Sequence, residues 1–212
     1  MAPGTDGRLA RGERARTAAL DAAVALATES GLDGLSFSQL ADRLRVSKSG
    51  LFAHWGTKEE LQLAAADHAE ERFTDVIVSP ALHAPRGIRR LWALQESRLA
   101  DVASGALPGG CFFTYAQFEY VARPGAVRER LSAALTRWHV LLERLIAEAV
   151  ELGELRADVD PEQLSFELNA FGTAAVYESR LRPAADIFTY ARTAALVRLR
   201  GLSPTPDLLP EV

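Results

Sequence analysis

Apolar residues recur at three- and four-residue intervals along almost the whole chain. Nowhere do they alternate with polar residues long enough to predict a strand. Ala19, Leu20, Ala23, Val24 and Ala27 form the first such face, and Gly31 ends its helix. Two short helices follow, over residues 36–44 and 47–54. A longer one begins at Thr57 and runs to about Val78, where Pro80 and Pro85 punctuate the chain. The next helix covers 85–104 and is broken by the run Gly-Ala-Leu-Pro-Gly-Gly at 105–110. A short aromatic-rich helix is expected over 111–122. From Pro124, the residues Val127, Leu131, Leu135, Trp138, Leu142, Leu145 and Ala149 keep one face apolar until Gly153. The run Asp160-Pro161-Glu162-Gln163 marks a helix start, with an N-cap, a proline at the first helical position and acid in the first turn. That helix reaches about Leu181, and a last one over 184–200 closes at Gly201. The tail from Ser203 carries three prolines and is expected to be loose. The pattern predicts an all-α chain of about nine helices.

Residues 35–61 carry the densest local signals. Ser36 with Gln39 forms a capping box, beside a hydrophobic staple of Leu35 and Leu40. Ser47 can cap the next helix, and Thr57 with Glu60 forms a second box. Three caps within about two dozen residues mean short helices joined by tight turns. Leu40, Leu44, Val46, Leu51 and Trp55 can meet in one small cluster, with Ala41 small where two helices would cross. That arrangement is a helix-turn-helix, in which one helix braces and the next enters a major groove. The second helix would expose Lys48, Ser49, Gly50 and Ala53. Lys48 can donate to guanine or to phosphate, Ser49 can serve either, and the two small residues permit close approach, the Ala53 methyl being able to touch a thymine methyl. Ser36, Ser38 and Gln39 at the first helix's start would meet phosphates, as would Lys58 at the start of the following helix.

Net charge is −4, which taken alone argues against nucleic-acid binding. The charge is uneven, however. Residues 1–58 hold eight Lys+Arg against six Asp+Glu, a net of +2, and both lysines of the chain, Lys48 and Lys58, lie there. The remainder is therefore at −6, the sign expected for a DNA-binding head on an acidic body. A single cysteine, Cys111, excludes an intramolecular disulfide and fits a reducing cytoplasm. No apolar run is long enough for a membrane span, and residues 1–12 have no signal-peptide core. His54, His68, His83 and His139 lack metal-ligand spacing. With no Gly-rich phosphate loop and no Gly-x-Ser-x-Gly elbow either, no cofactor, metal or catalytic residue is expected.

The positions Val46, Ser47, Leu51, Phe52, His54, Trp55, Thr57, Lys58, Glu59 and Leu61, with Ala19–Ala23, Ser30 and Gly31 upstream, resemble the DNA-binding domain of the tetracycline-repressor (TetR) family. The resemblance is motif-level over about residues 14–66 and extends to helix order beyond. It implies a three-helix helix-turn-helix domain at 8–56, a helical ligand-sensing and dimerisation domain at 57–202, and a tail at 203–212. The DNA-contacting set it implies is Arg14, Ser36, Ser38, Gln39, Arg45, Ser47, Lys48, Ser49, Gly50, Phe52, Ala53, His54 and Lys58. Two positions depart from the family. Phe52 stands where Tyr usually offers a hydroxyl to phosphate, and Arg45 stands where the turn usually has Gly, so a positive φ there would be strained.

For the rest of the chain, the resemblance implies a sensor pocket and a homodimer interface. Apolar and polar candidates for the pocket are Trp92, Phe112, Phe113, Tyr115, Gln117, Phe118, Trp138, His139 and Tyr177. Small residues suited to close helix packing are Ala170, Phe171, Ala174 and Ala175 in the penultimate helix, with Ala191, Ala194, Ala195 and Val197 in the last. The run Pro108-Gly109-Gly110-Cys111 resembles a feature of one branch of the family. The function implied is a cytoplasmic repressor that binds a palindromic DNA operator as a homodimer and is released by a small-molecule effector. A ligand-independent DNA-binding regulator and a helical enzyme are the alternatives.

Overall fold

The computed structural model describes residues 5–182 and 184–211, without the side chains of 5–11, 184 and 185. Regular structure among the described residues is helical throughout: α1 (Thr5–Ser30), α2 (Phe37–Leu44), α3 (Lys48–Phe52), α4 (Lys58–Phe73), α5 (Ser79–Leu82), α6 (Ile88–Ala103), α7 (Phe112–Tyr120), α8 (Ala126–Glu151), α9 (Pro161–Glu178) and α10 (Ala184–Leu202). Between α4 and α5 the segment Thr74–Val78 is a π turn, so the helical run begun at Lys58 continues to Leu82. Counted as one, it makes the expected nine. Pro80 is the physical cause of the π turn. Its ring clashes with the carbonyl four residues back and it has no N–H to offer. Widening the register by one residue, with the Ser79 N–H on the Thr74 carbonyl, carries the helix through the proline.

The chain folds as two compact units. The first comprises residues up to Glu71 together with Leu107–Leu131. Its core gathers Ala23, Val24 and Ala27 of α1, Leu32 and Leu35 of the turn, Leu40 of α2, Leu51 and Trp55, and Leu61 and Ala65 of α4. Phe112, Ala116 and Tyr120 of α7 join the same core. The second unit comprises Arg72–Ala106 and the chain from Ser132 onward. Its core is built on Ile88, Leu91 and Leu94 of α6, Trp138, Leu142 and Ile146 of α8, Leu164 and Leu168 of α9, and Leu196 and Leu199 of α10. These units are not the consecutive stretches 8–56 and 57–202. The start of α4 and all of α7 close the apolar face of α1, which two short helices cannot cover alone.

The tail is a correction to the loose segment expected from Ser203. Pro206–Leu208 form a 3-10 turn and Leu209 is buried in the second unit's core. One guanidinium nitrogen of Arg200 donates to the carbonyls of Pro206, Leu209 and Pro210 at 2.9, 3.1 and 2.9 Å. Prolines remove donors but leave carbonyls, and a buried apolar anchor with one cation gathering those carbonyls is enough to fix the segment. Val212 lies outside the described residues.

Candidate nucleic-acid interface

The three predicted caps form. Ser36 Oγ accepts the Gln39 N–H at 3.3 Å and donates to Gln39 Oε1 at 2.8 Å. Ser47 Oγ accepts the Gly50 N–H at 3.2 Å, starting α3. Thr57 Oγ1 accepts the Glu60 N–H at 3.1 Å, while Glu60 reaches back to the Gly56 N–H at 2.7 Å, one residue earlier than in a standard box. Leu35 and Leu40 are both fully buried, as a staple requires. Arg43 forks onto both oxygens of Glu29 at 2.8 and 3.0 Å, which braces α2 against α1 and holds the Glu29 carboxyl below its ordinary range.

The turn between α2 and α3 is closed by Arg45 at φ 55° and ψ 43°. Among the described residues it is the one non-glycine with positive φ. The Arg45 N–H bonds the Asp42 carbonyl at 3.3 Å and the Val46 N–H bonds the Ala41 carbonyl at 3.1 Å. These two bonds make a Schellman ending that glycine normally supplies. The same turn swings Val46 outward. It is 49% exposed, which corrects its expected place in the core cluster; Leu44 is partly buried there, and Leu40, Leu51 and Trp55 fill the cluster.

Around this turn the structure places an exposed row. Arg45, Ser47, Lys48, Ser49, Gly50, Phe52, Ala53 and His54 are exposed, as are Ser38, Gln39 and Arg14, while Ser36 is half-buried. A Cβ on Gly50 would meet only Ser47 Oγ, at 3.2 Å. That contact is tight and would press on the hydroxyl that caps α3, while the rest of the space around Gly50 is open. Phe52 stacks on Phe37 with ring centroids 4.1 Å apart and carries Lys48 Nζ 5.9 Å above its face. That stacking holds the Lys48 stem on α3 with its ammonium at the surface. Arg16, unmarked in the sequence, sits 5.6 Å over the buried Trp55 ring, beside His54. Its only sequence signal was membership of the basic stretch in α1.

Lys58 is exposed at the start of α4 and is already engaged within the chain. Its ammonium donates to the Asp33 carbonyl and lies 3.5 Å from Asp33 Oδ1. Arg123 pairs with the other Asp33 oxygen at 2.6 Å. The hydrogen bond from Arg123, with the nearby charges of Lys58 and Arg123, holds the Asp33 carboxyl below its ordinary range. Glu119 of α7 accepts the Leu32 and Asp33 N–H groups at 2.7 and 3.1 Å. Gln62 donates to the Leu32 carbonyl at 2.8 Å and to Tyr120 Oη at 3.0 Å. Burial, then the charges of Asp33 and Glu119, push the Tyr120 hydroxyl up to about 12. The α1–α2 turn that sets the bracing helix is therefore gripped by α7. Sequence reasoning missed Asp33, Glu119 and Arg123, because partners so far apart along the chain leave no local mark. The Pro-Gly-Gly-Cys run begins the same docking. The Gly109 N–H donates to Thr28 Oγ1 at 3.0 Å, and a Cβ on Gly109 would overlap the Thr28 carbonyl.

The pocket candidates divide between the units. Phe112 is buried in the first unit's core, with Phe113 partly buried against it, and Tyr115 and Gln117 are half-buried on the same helix; Gln117 donates to the Leu131 carbonyl at 3.3 Å. Trp92 and Trp138 belong to the second unit's core, and His139 shares a 2.7 Å hydrogen bond with the fully buried Ser165. Phe118 is 57% exposed and Tyr177 is half-exposed, so neither lines an interior in its own unit.

The expected dimer residues also divide. Ala175, Ala191 and Ala195 are buried within the chain, in its core clusters. Ala174 and Val197 are exposed, and Ala170, Phe171 and Ala194 are half-buried. The outward face of α9 presents Phe166, Ala170, Ala174 and Tyr177 at near four-residue spacing, Leu181 follows exposed in the turn after it, and α10 adds Tyr190, Ala194 and Val197. Phe166 at 64% exposure is a large ring that a lone chain leaves in water.

Residues 19–65 match the family model described as "Bacterial regulatory proteins, tetR family", and residues 87–195 match "Tetracyclin repressor-like, C-terminal domain". A TetR transcriptional regulator from Chloroflexus aurantiacus J-10-FL is 25% identical, with a TM-score of 0.81 over 89% of this chain and 96% of that one. A TetR-family regulator from Cytophaga hutchinsonii is 20% identical, with a TM-score of 0.81 over 90% and 96%. AibR in complex with isovaleryl coenzyme A and operator DNA is 21% identical, with a TM-score of 0.65 over 88% and 97%. No curated protein matches the chain.

Proposed function

The chain belongs to the tetR family of bacterial regulatory proteins and is a DNA-binding transcriptional regulator, and from that premise we propose that it is a cytoplasmic repressor, binding a palindromic operator as a homodimer and released from it by a small-molecule effector. Residues 8–56 read the DNA, and the chain from 57 to 202 carries sensing and dimerisation. The observation that carries the reading is the exposed row on α3 around Gly50, in a head whose caps and core fix that row. Lys48, Ser49 and Ala53 contact base edges, while Ser36, Ser38, Gln39, Arg45, Ser47, His54 and Arg14 meet the phosphate backbone, joined by Arg16. Phe52 supplies packing in place of a phosphate-binding hydroxyl. Lys58 reaches phosphate only by exchanging its bonds to Asp33. The outward apolar face of α9 and α10 supports a two-fold pairing with a second copy, which a palindromic site requires.

Effector binding acts by favouring a state in which the two α3 helices no longer match the operator spacing, the helix begun at Lys58 carrying the shift. The test is selection of random duplex DNA by the purified protein, read by sequencing. Enrichment of a palindrome with half-sites about one helical turn apart is the expected result. Enrichment of a single unrepeated half-site would refute the dimer, and no enrichment at low salt would refute sequence-specific binding.

A further inference from the structure

The second unit holds a polar centre inside an apolar core, and the reading of that unit as the sensor leaves its chemistry open. Gln95 and Arg98 stand three residues apart on α6, hence on one face, and are 1% and 5% exposed. The Arg98 guanidinium donates to Asn169 Oδ1 at 3.1 Å and to Thr173 Oγ1 at 3.2 Å, and lies 5.3 Å from the centroid of the Trp138 ring. The Trp138 indole N–H donates to the same Asn169 oxygen at 3.1 Å. Gly172 makes room for this fork: a Cβ there would sit 2.7 Å from one guanidinium nitrogen and 3.0 Å from its carbon. A residue as small as glycine, facing a buried arginine from the next helix, marks a position shaped around the cation.

Gln95 supplies the second, independent observation. Its Nε2 is buried with no hydrogen-bond acceptor in reach. A buried amide donor left unmade carries a desolvation penalty that folding would ordinarily remove. The donors on this face of α6 are thus a planar cationic fork and an unanswered amide, with an aromatic face alongside. Such a set is complementary to an acceptor-only group of negative charge that can be gripped by two nitrogens, which is the geometry of a carboxylate. Leu91 and Leu94 on α6, and Leu168 beside Asn169 in sequence, are fully buried in the same unit and give the neighbourhood an apolar character.

We propose that the effector is a small apolar carboxylic acid, its carboxylate held by Arg98 and Gln95 and its body laid against Trp138. The inference rests on the sensor role given above for this unit. It is tested on the full chain by calorimetric titration with a series of straight-chain alkanoates from butanoate to dodecanoate and of phenylalkanoates, each paired with its neutral primary amide. At least one acid is expected to bind, with its amide at least tenfold weaker. Gln95→Leu is expected to melt higher without ligand, since it removes an unsatisfied buried donor, yet to bind the acid several-fold more weakly. Arg98→Gln is expected to lose at least tenfold. The proposal is overturned if no acid in the series binds, if acid and amide bind alike, or if Gln95→Leu binds the acid as the parent does. Operator binding is followed on the same samples. A protein that selects a palindrome but ignores every acid would refute the effector class and leave the regulator intact.

Discussion

Replacing Arg45 by Gly separates what the α2–α3 turn costs from what it does. At φ 55° and ψ 43° a Cβ crowds the following carbonyl, a cost of about 1–2 kcal/mol for a residue other than glycine. Glycine removes that cost and gives back roughly 0.5–1 kcal/mol through the extra freedom of its unfolded chain. The net is a stabilisation of about 0.5–1 kcal/mol, or a melting rise of about 2 °C in a chain of this size. The Schellman hydrogen bonds use backbone atoms only and survive the change. The DNA side has the opposite sign. Arg45 is exposed beside α3, and loss of one phosphate contact per subunit lowers the slope of log affinity against log salt by about 0.9 per contact, so about 1.8 for a dimer. Arg45→Ala is the control that keeps the strain and drops the charge. It should match Gly in the salt slope and fall about 1 kcal/mol below it in stability. Urea unfolding and operator anisotropy at four salt concentrations read both quantities. Equal stability of Gly and Ala would refute the strain, and an unchanged slope would refute the phosphate contact.

Other expectations follow from the same geometry. Gly109→Ala forces a methyl into the Thr28 carbonyl and should destabilise by about 3 kcal/mol, at the upper end for overpacking, measured by urea denaturation; a loss under 1 kcal/mol would mean the loop is free to move. Asp33 has a folded pKa below its ordinary value because of the Arg123 hydrogen bond and then the Lys58 charge. Its stabilisation is therefore present above about pH 4 and fades as pH falls through the lowered folded value. Asp33→Asn should be less stable than the parent at pH 6 and equal to it at pH 2, and a gap that persists at pH 2 would contradict the ion pairing. Phe52→Tyr should keep the Phe37 stack and tighten operator binding by about 1 kcal/mol through one added hydrogen bond; unchanged affinity would place that edge away from the backbone. Lys48→Ala should cost about 1–3 kcal/mol and relax preference at one base pair if Lys48 reads a base. A loss that is the same on every sequence would assign it to phosphate.

What could be read beforehand was local. The caps at Ser36, Ser47 and Thr57 depend on residues three apart, so spacing alone located them. The αL position of Arg45 could be suspected because a family glycine was missing there. On α9 and α10 periodicity does not separate two uses of alanine, which serves equally against a second copy and where two helices of one chain approach. Ala175, Ala191 and Ala195 are buried within the chain, while Ala174 and Val197 are exposed, as are the large residues Phe166, Tyr177 and Tyr190. Long-range partners were beyond any periodicity: Asp33 with Arg123, Glu119 with the Leu32 and Asp33 amides, and Arg98 with Asn169 and Thr173.

These missed partners share a physical character. The head's helices could be read because their stability is written into caps and apolar faces. The interactions that periodicity does not show are those that tie the turn of this head to residues far along the chain. Glu119 satisfies two amides of the α1–α2 turn, and Asp33 divides its two oxygens between Lys58 and Arg123. On the proposed reading, an operator phosphate at Lys58 would compete for the cation that Asp33 holds. Each gain at the DNA would then weaken one arm of the grip on the turn and leave Arg123 as the remaining cation on the Asp33 carboxylate. On the same reading this coupling is reciprocal: whatever tightens Asp33 on Lys58 loosens Lys58's hold on DNA by the same free energy, and the reverse. The charge of Asp33 then sets, on that reading, how much of Lys58 is free for DNA, and Asp33→Asn is the substitution that removes it.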